Sequence, residues 1–174
     1  MTDLQRALSL PRNAIIMGCA VFAALAVSLS AWGQEQQSAA LAKDAIFARK
    51  ILMDTISNNM DELETMTTSD KGVNLTEGRE HADIISVMLM AFPHLFAAET
   101  NQWNPNAERD PGRDTYASPD AFSNYADFYA KAARASKIAY NASRAKQEGD
   151  FKKFVVELRV ACDSCHAVYL KVDR

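Results

Sequence analysis

Three residues near the carboxy terminus have the types and the spacing that covalent haem attachment needs. Cys162 and Cys165 are separated by two residues, and His166 follows at once. In a Cys-x-x-Cys-His pattern the two thiols form thioethers with the vinyl groups of haem, and the adjacent histidine coordinates the iron from the same face. On a helix the three residues occupy positions i, i+3 and i+4, so they project from one side. The pattern therefore predicts one covalently bound haem c.

Other chemistries also use paired cysteines, and the sequence supports none of them. A thioredoxin-type redox pair belongs in a βαβ unit, and a zinc site needs two further ligands at similar spacing. A structural disulfide fits an oxidising compartment, but three cysteines in all are too few for a disulfide scaffold. Haem attachment is therefore the favoured interpretation of Cys162 and Cys165.

The amino terminus has the pattern of an export signal. Residues 13–34 contain no charged side chain and are preceded by Arg6 and Arg12. A secretory apolar core is usually about 7–15 residues and a spanning helix about 20, so the apolar run 14–33 fits either a cleaved signal peptide or a retained anchor. Small residues at Ala31 and Gly33 favour cleavage. We expect residues 1–33 to be a signal peptide or uncleaved membrane anchor, and the remainder to reach the periplasm of a bacterium, soluble or anchored to the inner membrane.

The net charge limits which classes of molecule the protein is expected to bind. The chain of 174 residues has 19 Lys and Arg against 22 Asp and Glu, a net charge of −3, and no basic cluster stands out. A nucleic-acid partner therefore has no electrostatic support. Removal of residues 1–33 takes away Arg6, Arg12 and Asp3 and leaves −4. This mildly acidic surface favours a redox partner protein with a basic docking patch, and contact with a membrane is expected only if the amino-terminal segment is retained.

The remainder, residues 38–174, has the periodicity of four amphipathic helices and no competing strand signal. Apolar residues recur every three or four positions from about 38 to 68, and a second helix is expected to begin with Thr76 as its cap and to end at Pro93. A long connection, 97–117, precedes a third helix capped by Ser118, and Asp150 is the expected cap of the fourth. The pattern predicts an all-α, antiparallel, up-down-up-down four-helix bundle.

This topology limits which residues reach the iron on its sixth side. The end of the fourth helix, the end of the second and the starts of the first and third meet at one end of the bundle. Met53 of the first helix is one candidate ligand, and Arg49, one turn away, is able to pair a haem propionate. Met60 lies roughly 10 Å deeper by helix rise, which is too far. The topology leaves as competitors Met88, Met90 and His94, and it disfavours His81 at the opposite end.

At this point the sequence resembles the class II c-type cytochromes, the cytochrome c prime family and its low-spin, methionine-ligated relatives. The resemblance covers about residues 38–172 and rests on the haem motif near the carboxy terminus, the Arg-x-x-x-Met of 49–53, the Pro-x-Leu-Phe of 93–96 and the long connection. The low-spin branch is similar around Leu52, Met53 and Met60. The resemblance implies a haem held between His166 and Met53.

The resemblance also draws attention to the residues after the haem histidine. The family commonly has an aromatic residue followed by arginine there, whereas in this chain Tyr169 is followed by Leu170 and Lys171. Tyr169 is therefore a candidate for the haem pocket, and Arg49 is the other candidate for contact with a propionate. Dimerisation is common in the resembling family, so a homodimer is also expected.

The sixth ligand decides the function. If Met53 occupies that position, no substrate reaches the iron and the protein is a one-electron carrier. If the position is open, the protein binds NO or CO, as the resemblance to five-coordinate cytochromes c prime implies. We predict an exported monohaem electron-transfer cytochrome that is not an enzyme, with the gas-binding protein as the alternative.

Overall fold

The computed structural model describes the backbone of residues 12–70, 72–101, 103, 106 and 116–171, with side chains from residue 40 onward. The helices are α1 (Arg12–Thr68), α2 (Leu75–Ala91), α3 (Asp120–Ser123), α4 (Tyr125–Ser143) and α5 (Glu148–Tyr169), with 3₁₀ turns at Phe92–Leu95 and Ala98–Thr100. The chain divides into two compact units, Met1–Ala40 and Leu41–Arg174. In the first unit the described backbone is helical from Arg12, and the predicted signal or anchor segment, 1–33, lies outside the described side chains.

The second unit is the four-helix bundle that the periodicity predicts. The part of α1 after Leu41 packs with α2, α4 and α5 around one hydrophobic core. Each helix contributes residues spaced by three or four positions, because that spacing places them on one face. The buried core consists of Ile56, Met60 and Leu63 of α1, Ile85 and Leu89 of α2, Ala135, Ala139 and Ala142 of α4, and Phe151, Val155 and Leu158 of α5. Removing one such large side chain from water stabilises the fold by about 1.5–3 kcal/mol.

A small residue brings α2 and α5 close together at the end of the bundle opposite the haem motif. A Cβ at Gly78 would lie 2.6 Å from the ring carbon Cζ of Phe151, which is inside van der Waals contact. Phe151 is itself fully buried. Glycine at position 78 therefore lets the Phe151 ring lie directly against the α2 backbone.

Three of the predicted helix caps, at Thr76, Ser118 and Asp150, are wrong. Asn74, and not Thr76, caps α2 by accepting a hydrogen bond from the Glu77 N–H. Ser118 caps no helix, since Pro119 occupies the cap position of α3 and the Ser118 hydroxyl lies 3.5 Å from the Val168 carbonyl. The Ser118 N–H donates to the Tyr169 carbonyl at 2.8 Å. The third predicted helix is interrupted at Asn124, which separates α3 from α4. The fourth begins at Glu148, two residues before the expected cap Asp150.

Other boundaries agree with the sequence prediction. The α2 helix ends at Ala91, and Pro93 lies in the 3₁₀ turn that follows, as expected for a residue without an N–H to donate. Within the described residues there is no strand, only an isolated antiparallel bridge between Ala117 and Leu170. Among the residues whose side chains are described, no helix is long and apolar enough to cross a membrane.

Candidate haem-binding site

A cavity of about 490 Å³ lies inside the bundle, where four helices contribute to its wall. Cofactor sites are typically concave pockets of roughly 300–1,000 Å³. The wall is formed by α1 between Arg49 and Met60, by α2 and its 3₁₀ turn between Leu89 and Phe96, by α4 between Phe128 and Ala135, and by α5 between Arg159 and Tyr169. The start of α4 and the ends of α2 and α5 therefore meet at one site, as the up-down-up-down topology predicts.

The haem motif lies in the α5 wall of this cavity. Cys162, Cys165 and His166 all line it. Both cysteines are half-buried free thiols. Cys162 packs against the main core, and Cys165 packs against a smaller aromatic cluster that contains Phe128. The helix thus presents two thiols and an imidazole to a single cavity.

Partial burial sets the protonation of these groups. Desolvation raises the pKa of the Cys162 thiol and raises that of Cys165 to about 11, so both are neutral thiols at pH 7. The His166 residue is exposed overall, but its ring is partly desolvated at the cavity, which lowers its pKa. The imidazole is consequently neutral at pH 7, the form that binds a metal.

Two methionines of α1 reach the cavity. Met53 is half-buried, lines the cavity and packs against the core. Met60 lines the same cavity and is only 2% exposed, and the expectation that it lies too far from the iron to be its ligand stays a prediction.

The remaining sixth-ligand candidates lie elsewhere in the described structure. Met88, Met90, His94 and His81 are absent from the residues that line the cavity. The His94 ring packs edge-on against Tyr129 at 5.9 Å. The Nδ1 of His81 is 2.7 Å from the side-chain oxygen of Asn59, on α1.

Arg49 lines the cavity, but most of its N–H groups donate hydrogen bonds to other residues of the protein. It is 3% exposed, and its Nε and Nη2 both donate to the Leu95 carbonyl, at 3.1 and 2.6 Å. Nη2 also donates to the Thr100 hydroxyl, and Nη1 lies 3.5 Å from the Thr100 carbonyl. Burial lowers the pKa of the guanidinium to about 10, which still keeps it charged at pH 7. One N–H on Nη1 is left for a propionate, so that role stays a prediction.

Tyr169, the other pocket candidate, forms part of the cavity wall. It is 4% exposed, and its hydroxyl donates to the Asp127 carboxylate at 2.6 Å. Burial and this hydrogen bond together raise the pKa of the phenol above its ordinary value. Its ring meets Phe128 edge-on at 5.1 Å. Tyr169 is therefore a fixed wall residue whose polar end already has a partner.

The chemistry of the whole wall fits haem, a large apolar ring with two carboxylates. The ring would lie against aromatic and aliphatic side chains, among them Phe92, Phe96 and Phe128. The charged residues of the wall are mainly cations, namely Arg49, Lys50, Lys131 and Arg159, against Asp54. An anionic cofactor is favoured by this excess of positive charge. Sequence reasoning missed Lys131 and Arg159, although Arg159 stands one helical turn before Cys162.

Backbone hydrogen bonds hold the end of α5 just beyond the haem motif. The Leu170 N–H donates to the His166 carbonyl at 3.0 Å, and the Lys171 N–H donates to the Tyr116 carbonyl at 2.7 Å. Together with the bond from Ser118 to Tyr169, they tie the last turn of α5 to the segment that leads into α3. The α5 wall is thereby anchored on the carboxy-terminal side of His166.

An ion pair joins α1 to α5 beside the cavity and gives a pH-dependent prediction. Arg159 donates from Nε to one oxygen of Glu64 at 2.5 Å and from Nη2 to the other at 2.8 Å. The hydrogen bond from Arg159 lowers the pKa of Glu64. A lowered carboxyl pKa adds stability at neutral pH that is lost as the pH falls through the folded-state pKa.

We expect Glu64→Gln to lower the free energy of unfolding at pH 7 by about 0.5 kcal/mol, a small value because exposed pairs are screened by solvent. Urea titrations should show the deficit disappear well below the ordinary carboxyl pKa of about 4.3. Glu62→Gln, at an exposed position of the same helix, is the control and should leave stability unchanged. An equal deficit at acid pH would contradict the assignment.

Comparison with known proteins identifies the family. Residues 44–170 match the family model for cytochrome C′. The cytochrome c prime from Shewanella frigidimarina is 20% identical, with a TM-score of 0.63 over 75% of this chain and 96% of its own. The cytochrome c′ from Rubrivivax gelatinosus is 23% identical, with a TM-score of 0.62 over 75% and 97%. A cytochrome c′ with an unusual ligand-controlled dimer dissociation is 17% identical, with a TM-score of 0.61 over 75% and 96%. No protein of curated function matches the chain at a significant level.

The fold and the cavity define an all-helical haem protein. Since the family model spans more than half of the residues, the chain belongs to the cytochrome c′ family. Proteins of this family bind one covalently attached haem c, and they are haem-binding, electron-transfer or gas-binding proteins, not classical enzymes. The match is to cytochromes c′ and gives no support to the low-spin, methionine-ligated branch that the sequence suggested.

Proposed function

We propose that the protein binds haem c with one protein ligand to the iron and leaves the opposite side open to small neutral gases such as NO or CO. The observation that carries the proposal is the packing of Met53. Its side chain is half-buried against the hydrophobic core, so packing alone accounts for its position in the wall. A methionine on such a helical seam is usually a filler of the core. Membership of the cytochrome c′ family supports the same proposal.

The α5 residues take the roles that the motif assigns. Cys162 and Cys165 hold the haem through thioethers, and His166, neutral at pH 7, is the proximal ligand of the iron. When bound, the haem supplies an iron that takes up an axial ligand or exchanges one electron. Lys131 and Arg159 join Arg49 as candidates for contact with the propionates, and Tyr169 forms part of the haem pocket wall, because all four line the cavity.

The second candidate function is an electron carrier in which Met53 is the sixth ligand. The observation in its favour is that Met53 lines the same cavity as His166. A methionine–histidine pair would exclude gases from the iron and restrict the protein to one-electron exchange.

A conservative substitution separates the two functions. We expect Met53→Leu to leave the visible spectrum unchanged in both oxidation states and to change the affinity for CO by no more than a few fold, since leucine has a similar volume and no sulfur. Absorption spectroscopy with a CO titration is the measurement. Met88→Leu, outside the cavity, is the matched control. A shift from a low-spin to a high-spin spectrum on Met53→Leu alone would establish methionine ligation instead.

The place of the protein in the cell follows from its amino terminus. We propose that residues 1–33 direct export and that residues 38–174 form the haem domain in the periplasm, either released or held at the inner membrane by residues 14–33. The net charge of the exported part, −4, favours a redox partner protein with a basic docking surface.

Exposed apolar residues on α1 and α2 support a homodimer. Phe47 is 67% exposed and Ile51 49% on α1, and Val87 is 65% exposed and Met90 60% on α2. The two helices lie side by side, joined by the hydrogen bond of His81 to Asn59. Large exposed apolar side chains on neighbouring helices are typical of a protein-binding surface, although α4 and α5 also expose some, such as Tyr129 and Val160. One structural neighbour is described as a dimer under ligand control.

We expect the haem domain to sediment as a dimer and the double variant Phe47→Lys, Val87→Lys to sediment as a monomer at the same concentration. The reason is that burying the two lysine charges in the interface without acidic partners is costly. Analytical ultracentrifugation measures both. Val156→Lys is the control, since Val156 is 64% exposed on α5, and it should remain dimeric. A monomeric starting protein, or loss of the dimer in the Val156 variant alone, would refute this interface.

A further inference from the structure

Arg49 is a buried cation that pairs with no acid among the described residues. Its side chain is 3% exposed, and desolvation is the cause that lowers its pKa. Burying a charge is costly unless it is hydrogen-bonded. Arg49 nevertheless stays buried, and every hydrogen bond that it donates goes to two residues of one short segment, Leu95 and Thr100.

The bonded segment runs from the 3₁₀ turn after α2 to the next turn, residues 92–100. Thr100 continues the network by donating from its hydroxyl to the Ala97 carbonyl at 2.6 Å. The backbone-to-backbone bonds of the segment are local, such as Phe96 N–H to Pro93 O at 3.1 Å. Besides Arg49, the Tyr125 hydroxyl donates to the Pro93 carbonyl at 3.3 Å. No regular helix or sheet holds it in place, so side-chain contacts must determine its position.

The guanidinium also fixes the aromatic ring that this segment presents to the cavity. It lies 4.2 Å from the Phe96 ring centre and 5.1 Å from that of Phe122, so it sits against both faces. Phe96 in turn contacts Phe92 at 5.1 Å and Phe128 at 4.6 Å. Phe92, Phe96 and Phe128 all line the cavity. Arg49 therefore contacts one wall residue directly and two more through the Phe96 ring.

We propose that Arg49 is a positioning residue that fixes segment 92–100 as one wall of the haem cavity and so determines how closely the Phe96 ring approaches a bound ligand. Its planar donor fork matches the Leu95 carbonyl and the Thr100 hydroxyl together, which a lysine ammonium at the same position does not do. The statement about the segment stands on the contacts alone, and the statement about the ligand rests on the proposed function.

Hydrogen exchange of the holoprotein, followed by mass spectrometry, tests the first statement. In Arg49→Met we expect amides in peptides covering 92–101 to exchange at least about tenfold faster, since local opening becomes easier, while α4 and α5 keep their rates. Arg49→Lys should be intermediate. Thr100→Val, which removes the hydroxyl at constant shape, should accelerate the same peptides, and Thr100→Ser, which keeps the hydroxyl, should restore the original rates.

A second readout tests the connection to the ligand. With CO bound to the reduced protein, we expect the CO stretching frequency and the association rate to differ from those of the original protein in Arg49→Met and Thr100→Val and to agree with them in Thr100→Ser. If Arg49→Met does not fold, the Thr100 pair decides.

Unchanged exchange in 92–101, or an equal acceleration in every helix, would overturn the positioning role. A protein that binds no CO would remove the proposed open iron site while leaving the exchange result to decide the role of Arg49.

Discussion

Replacing Cys162 and Cys165 together with serine is expected to leave a protein whose haem is removed completely by acid–acetone extraction. The two thiols lie one helical turn apart in the wall of one cavity, and we expect each to form one thioether. Serine keeps the size of the side chain but forms no such bond with a vinyl group. Denaturing gel electrophoresis with haem staining should show staining of the original protein and none of the double variant.

The single variants and a neighbour sharpen this experiment. Cys162→Ser or Cys165→Ser alone should retain haem through the remaining thioether, with an altered spectrum because one vinyl group is now free. Ser164→Ala, inside the motif and exposed, should retain the haem with its original spectrum. A double variant that still holds haem through extraction would refute covalent attachment at these residues.

Replacing His166 with glycine is expected to remove the protein ligand of the iron while the haem stays attached through both cysteines. The ring lines the cavity next to Cys165 and is neutral at pH 7 because desolvation lowers its pKa. Glycine leaves a gap of the size of the ring, so added imidazole should bind the iron there and return the spectrum toward that of the original protein. Absorption spectra across an imidazole titration measure both effects.

The control for this variant is His94, which lies in the 3₁₀ turn after α2. His94 packs against Tyr129 and does not line the cavity. His94→Gly should therefore keep the original spectrum, and added imidazole should affect it only as it affects the original protein. If His94→Gly lost the spectrum and His166→Gly kept it, the ligand assignment would have to be exchanged.

The fold could be predicted from the sequence because the helical periodicity of its apolar residues is strong and no strand pattern competes with it. Apolar residues such as Ile56, Met60 and Leu63 recur at helical spacing, and each stripe needs partners to be buried. Helix caps could not be predicted equally well. Ser118 has the residue type of a cap, but its hydroxyl is directed to the carbonyl of Val168, distant in sequence, at 3.5 Å. Local propensity gives way where tertiary hydrogen bonds compete for the same group.

Part of the candidate site could be predicted from neighbouring residues in the sequence, and part depends on contacts between residues that are far apart in the sequence. The haem motif lies within five consecutive residues, so its placement on one side of α5 follows from helix geometry. The partners of Arg49 are Leu95 and Thr100, which no local spacing reveals. Spacing likewise places Met53 on the inner side of α1, but whether its sulfur is a ligand or part of the wall depends on packing around it.

The visible spectrum of the purified haem domain is the first measurement we would make on the proposed covalent haem with an open iron site. Spectra are recorded oxidised and reduced, each with and without CO. We expect a high-spin spectrum whose reduced form shifts on addition of CO. A low-spin spectrum that CO leaves unmoved would contradict this expectation and would show a six-coordinate electron carrier.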